Sequence, residues 1–173
     1  MIEDRSTLLI VIRFCLISLL FGAATASLAA ADCKDQFALP LKMEFSDHDA
    51  ESVVLCPGDL DALPQASFET TTLWTNGTQR FEGVWLATLL EAIGVIDGEI
   101  TLRAINDYAV TARAETFEEG GALLAYRRNG QPMSTRDKGP YWLVWNYDAN
   151  PDFRTQQIYS LSIWQLDRIT VSR

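Results

Sequence analysis

Arg80, Arg128, Arg136 and Lys138 are among the few cations of an acidic chain, and three of them fall between Tyr126 and Trp142. Cations gathered in this way suit an anion, since a guanidinium grips phosphate or carboxylate with two parallel hydrogen bonds and an ammonium adds a point charge. Arg136-Asp137 has a second reading as a local ion pair holding its loop, an arrangement common and weak at surfaces. Asn106-Asp107-Tyr108 is the other candidate group, offering directional hydrogen bonds. Turn chemistry explains Asn106 and Asp107 equally well, because such side chains bond their own backbone. Gly139 and Trp142 complete the set, the first in a Gly-Pro turn and the second as an apolar wall.

The common catalytic constellations are missing. His48 is the one histidine among 173 residues, and it lies in the acidic stretch SDHDAES, which reads as exposed. Any Ser/His/Asp or Cys/His arrangement would depend on it. No CxxC or Cys/His cluster with metal-ligand spacing is present, and no glycine-rich phosphate loop. No catalytic residue and no metal ligand is therefore assigned. A net charge of -9 argues against nucleic acid and anionic membrane as partners.

Met1 to Ala31 reads as an export signal, with Arg5 and Arg13 at its start, an apolar run from Phe14 to Ala24, and small residues before Asp32. Cuts after Ala26 or Ala29 fit nearly as well. An uncleaved anchor is the alternative, but a span needs about 20 largely apolar residues and Arg13 interrupts the run. The expectation is one domain over 32–173, periplasmic or secreted, with no membrane contact after cleavage. Cleavage leaves Cys33 and Cys56. They read as one disulfide, which would contribute about 3 kcal/mol through loop entropy, or as two free thiols.

The elements that must position the candidates are short. Leu86, Leu89, Leu90 and Ile93 fall at i, i+3, i+4 and i+7, predicting an amphipathic helix over Val84 to Ile93 closed by Gly94. Ile100 to Ile105 and Tyr108 to Ala114 alternate in polarity around Asn106-Asp107, predicting two strands and a tight turn. Ala122 to Tyr126 is a buried-strand pattern followed by Asn129-Gly130, the residues of a two-residue hairpin turn. Tyr141 to Trp145, Ile169 to Val171, Leu41 to Phe45, Ser52 to Leu55 and Phe68 to Leu73 are further predicted strands. Asp59 to Leu63 predicts one helical turn before Pro64. Asp148 to Gln157 is polar and reads as a mobile loop beside a pocket. Many strands and few helices imply an α+β domain around a mixed, largely antiparallel sheet.

In order, FEGVWLATLLEAIGV, LRAINDYAV, ALLAYRRNGQPMSTRDKGPYWLVW and SIWQLDRITV resemble the molybdopterin-binding domain of the sulfite oxidase type, and more closely its small exported single-domain members. The resemblance covers nearly all of Phe68 to Val171. It implies a compact α+β domain, with the 126–142 region and the Asn106-Asp107-Tyr108 turn near the cofactor cleft. It also implies a cysteine ligand to molybdenum on the segment leading into the helix. Here that segment reads TTTLWTNGTQRFEGVWL, without cysteine, and threonine hydroxyls are poor substitutes for a soft thiolate. Members that carry molybdopterin leave the cytoplasm folded through a twin-arginine signal, whereas Arg5 and Arg13 are not adjacent. WNYD, Trp145 to Asp148, stands where the family tends to have tyrosine and proline.

The expectation is a binding or sensory accessory protein without cofactor, taking a small anionic ligand in the old cleft or an envelope sensor or partner protein. Arg136, Lys138 and Arg128 would supply charge, Asn106 and Tyr108 hydrogen bonds, and Trp142 a wall. The competing expectation is a molybdopterin-dependent oxidoreductase with another group in place of the cysteine.

Overall fold

A computed structural model describes residues 41–46 and 52–172. Within these residues ten strands form one sheet. They are β1 (Leu41–Phe45), β2 (Ser52–Leu55), β3 (Ala66–Thr70), β4 (Gln79–Trp85), β5 (Glu99–Ala104), β6 (Ala109–Arg113), β7 (Ala122–Arg128), β8 (Gln131–Pro132), β9 (Tyr141–Trp145) and β10 (Trp164–Ser172). The path runs β2-β1-β10-β9-β7-β4-β3, with β5 and β6 branching from β10. The β1–β10 pair is parallel, and the other pairings are antiparallel. The mixed, largely antiparallel α+β fold expected from the sequence is the one observed.

The core lies where the apolar runs meet. All five residues of β9 are buried, as are the first five of β7, the continuous pattern of strands covered on both faces. By contrast β5 alternates, burying Ile100, Leu102 and Ala104, as a strand with one wet face should. At Asn129-Gly130 both residues have positive φ, 52° and 76°, the type I′ geometry that matches strand twist.

Among the described residues three short helices flank the sheet: α1 (Pro57–Asp61), α2 (Leu86–Ala92) and α3 (Gln156–Leu161). Gly94, at φ 76°, closes α2: its N–H donates to Glu91 O at 2.9 Å, and Val95 N–H donates to Leu90 O at 2.8 Å. Those are the two bonds of a Schellman cap. The expected start of this helix at Val84 is too early. Val84 and Trp85 end β4, paired with Leu124 and Leu123, because a β-branched and an aromatic residue fit the pleated surface better once a partner strand is present.

Other boundaries shift as well. Helix α1 begins at Pro57, two residues before the predicted turn, with Cys56 N–H bonded to Asp59 at 2.8 Å; proline suits a first helical position. Strand β3 spans Ala66–Thr70 rather than Phe68 to Leu73, and Ile169 to Val171 is the end of a nine-residue strand. The expected loop at Asp148 to Gln157 contains a 3-10 turn at Pro151–Phe153 and the start of α3, capped by Thr155 accepting from Ile158 N–H at 3.3 Å. Cys33 and His48 lie outside the described residues. Within them no helix is long and apolar enough to cross a membrane.

Candidate functional site

Lys138 sits at the centre of the loop between β8 and β9. A 3-10 turn over Thr135–Asp137 delivers it at φ 68°, and Gly139 N–H bonds back to Ser134 O at 2.8 Å. Gly139 is required by space, since a Cβ there would lie 2.0 Å from Met133 O. Opposite, Gln165 has φ 54°. Its N–H donates to Lys138 O at 3.0 Å and its side-chain amide to Thr135 O at 2.7 Å. Two non-glycine residues in the left-handed region thus clip the loop to β10. Such conformations cost on the order of 1–3 kcal/mol each and cluster at functional sites.

The Lys138 ammonium lies over two indoles, 4.7 Å from the Trp164 ring centre and 5.7 Å from that of Trp142, within cation–π range. Trp142 is fully buried, with Phe81 at 5.2 Å and Trp74 at 6.0 Å between ring centres. Trp74 also meets Trp164 at 5.5 Å and Tyr159 at 5.9 Å, edge to face, the geometry aromatic quadrupoles favour.

Trp74 comes from the segment between β3 and β4, which one carboxylate pins. Asp148 accepts from Thr71 N–H at 2.6 Å and from Thr71 Oγ1 at 2.9 Å, while Arg154 reaches it at 3.0 Å. The Thr71 backbone bond, followed by the hydroxyl and Arg154, holds the Asp148 carboxyl below the usual carboxylate range. A depressed folded pKa contributes stability above the unfolded value, about 3.9, that is lost as pH falls through the folded one. Hydrogen-exchange protection at Thr71 to Thr75, relative to the intrinsic rate at each pH, should therefore hold from neutrality to about pH 4 and fall below it. Asp148→Ala should exchange fast at neutral pH already, and equal protection in both proteins would show that the carboxylate does not hold the segment.

Beside these rings is a cavity of about 340 Å³ whose walls include Trp74, Asn106, Tyr108, Tyr159, Ser160 and Trp164. Asn106 and Tyr108 are therefore brought to one space, with Trp164 linking that space to Lys138. Asn106 Oδ1 accepts from Tyr108 N–H at 3.2 Å, and the Tyr108 hydroxyl donates to Ser160 O at 3.4 Å. Asp107 does not line the cavity; it occupies the turn at φ 65°, 3.8 Å from Arg103. Trp142 stands behind Trp74 and Trp164 rather than in the wall.

The arginines divide. Arg128 is ion-paired with Asp137 and Arg80 with Glu82 at 3.2 Å. Asp137 is thus the partner of Arg128, not of its neighbour Arg136, which is exposed. Arg103, Arg113, Arg127, Arg154 and Arg168 are paired as well. Among the described residues, Lys42, Arg136 and Lys138 alone of the cations have no carboxylate partner. Arg127 joins Asp61 at 3.1 Å, beside a Tyr126 hydroxyl 2.7 Å from the same carboxylate. Burial, then the Asp61 bond, pushes the Tyr126 hydroxyl up to about 12. This network ties α1 to β7 and lies apart from the cavity walls.

Trp74 and Trp164 were not among the residues singled out by type, nor were Tyr159 and Ser160. A tryptophan inside the polar run TTTLWTNGT was the available signal for the first; Tyr159 and Ser160 follow the predicted Asp148 to Gln157 loop, in a part of α3 to which the sequence assigned no element. The donor set does not fit a bound metal: no cysteine, histidine or carboxylate is in the cavity wall. Nor do any three such residues cluster suitably among the described residues.

Residues 35–145 match the family described as oxidoreductase molybdopterin binding domain. Comparison with curated proteins gives no match. Among solved structures, the chain is similar to the sulfane dehydrogenase SoxCD from Paracoccus pantotrophus, with a TM-score of 0.55 and 15% identity over 78% of this chain. It spans 38% of that chain, and at this identity the likeness is one of fold.

Proposed function

The chain belongs to the oxidoreductase molybdopterin binding domain family, and from that premise we propose that it is a periplasmic or secreted binding or sensory accessory protein that takes a small anion without the molybdenum cofactor. The observation that carries this reading is the pair of unpartnered cations Arg136 and Lys138 in a chain of net charge -9, with Lys138 laid on the tryptophans beside the cavity. Where the other described cations, Lys42 apart, are paired with carboxylates, these two hold charge in reserve. An anion arriving at them replaces water rather than a protein carboxylate, so it does not compete with an ion pair already made.

The absence of a cofactor rests on donor chemistry. The segment on which the family resemblance puts a thiolate carries Trp74 turned onto Trp142 and Trp164, and an indole offers molybdenum no soft anionic ligand. The second reading, a molybdopterin-dependent oxidoreductase, draws on family membership. Molybdenum and pterin content of the protein from its native host separates the two, and near-stoichiometric metal would overturn the proposal.

Calorimetric titration with phosphate, sulfate and benzoate tests the anion site. Replacing Arg136 and Lys138 together by alanine should weaken the tightest of these at least about tenfold, equivalent to about 1.4 kcal/mol, with stability retained. Binding unchanged in the double variant, or undetectable in the parent, would sink the assignment.

A further inference from the structure

Resting on the reading of an anion site, we infer that the ligand is a planar aromatic carboxylate, its ring in the cavity among Trp74, Tyr108, Tyr159 and Trp164 and its carboxylate on the polar rim. Three independent observations carry this. The cavity, at about 340 Å³, lies at the small end of the roughly 300–1,000 Å³ range of small-molecule sites, which suits a body of one or two rings. Four aromatic side chains in the wall favour a flat π-system, which they contact face or edge on.

Hydrogen-bond donors remain over in the wall. Asn106 Oδ1 is taken by Tyr108 N–H, leaving its amide N–H groups over. The indole N–H groups of Trp74 and Trp164 and the Tyr159 hydroxyl have no acceptor among the described residues. Ser160 and Ser162 are already engaged, the first with Gln157 O at 2.7 Å and the second with Tyr147 and Ile158. The hydroxyls of Ser160, Ser162 and Tyr108 have thus spent their one proton, and the donors still free are those of Asn106, the two indoles and Tyr159, which a ligand that accepts would satisfy. A carboxylate accepts at both oxygens and carries the charge that the Lys138 ammonium, on the Trp164 ring, complements.

The surface around the cavity agrees. The large hydrophobics left exposed among the described residues are Leu73, Ile96, Ile105 and Tyr108. Tyr108 is in the cavity wall, Leu73 precedes Trp74, and Ile105 lies between Ala104 and Asn106. Tyr108, half exposed, therefore carries aromatic surface from the cavity wall out to solvent, and two of the others are chain neighbours of wall residues. An inorganic oxyanion gains nothing from that ring, whereas an aromatic ligand can stack on it.

The test is titration of the full mature chain, followed by tryptophan fluorescence and calorimetry, with benzoate and indole-3-carboxylate against acetate, phosphate and benzyl alcohol. The expected result is saturable binding of the aromatic carboxylates, with acetate, phosphate and benzyl alcohol each at least about tenfold weaker. Tyr108→Ala and Asn106→Ala, both at exposed positions, should each weaken indole-3-carboxylate about fivefold with unchanged circular dichroism. Acetate or phosphate binding as tightly as benzoate would overturn this inference and leave the anion site standing. Benzyl alcohol binding as tightly would remove the carboxylate from it. Binding of none of these overturns both.

Discussion

Trp142→Ala should lower the stability of the domain by about 3–5 kcal/mol, the range for truncating a buried aromatic, and it should weaken ligand binding in the same protein. Trp142 is fully buried on β9, with Phe81 5.2 Å away and Trp74 and Trp164 at 6.0 and 6.4 Å. Removing the indole opens a void behind the two tryptophans that wall the cavity, and packed interiors close such voids only in part. Trp142→Phe separates the two effects. The Trp142 Nε1 is buried without a protein acceptor, a condition that costs about 1–3 kcal/mol, so phenylalanine loses packing area but also removes that cost. Its net loss should stay below about 1.5 kcal/mol. Urea denaturation of the three proteins gives the comparison. A loss under about 1 kcal/mol for the alanine variant would show that Trp142 does not support the site.

Gly83→Ala is the second large effect. A Cβ at Gly83 would stand 2.0 Å from Leu124 O and 2.9 Å from Ala125 Cα. Both are backbone atoms of β7, in the interior of the sheet, so no flexible side chain can turn aside. Register between β4 and β7 shifts between Glu82 and Gly83, where an irregular ladder lets the two backbones come this close. Overpacking of cores usually costs 1–3 kcal/mol; here two strands must separate, and about 3 kcal/mol or more is expected. Loss of the cooperative unfolding transition, or a large drop in its midpoint, is the expected readout. A change under about 1 kcal/mol would mean that β4 can slide past β7 without penalty.

The two variants also divide what the sequence carried from what it did not. Local rules read well where the cause is local. The leucines of α2 with Gly94 behind them, the Asn129-Gly130 turn, and the apolar runs of β7 and β9 were all legible, since each follows from backbone preference or from burial of one short segment. Strand β4 was not anticipated as a strand, because Gln79 to Trp85 alternates weakly and becomes one only when paired with β3 and β7. The start of α2 moved for the same reason.

The candidate site was legible in part. Asn106, Tyr108 and Lys138 were singled out by type and turn context, and the fold gathers them around Trp164. Arg80 and Arg128 had the same chemistry in the sequence, yet the structure gives them to Glu82 and Asp137. Ion-pair choice depends on differences of a few ångströms set by strand and loop geometry and by rotamer, which composition does not encode. Trp74 shows the same limit. It lies 68 residues from Trp142 in the chain, so their contact exists only after β3, β4, β7 and β9 have found their order.

By itself, then, the sequence determined the fold class, the family and the turns, because these depend on residue types and short spacings. The tertiary structure alone decided which cations remain unpaired, which tryptophans face a cavity and which are buried behind it. Those outcomes are set by long-range strand pairing, where one residue of register exchanges the two faces of a sheet.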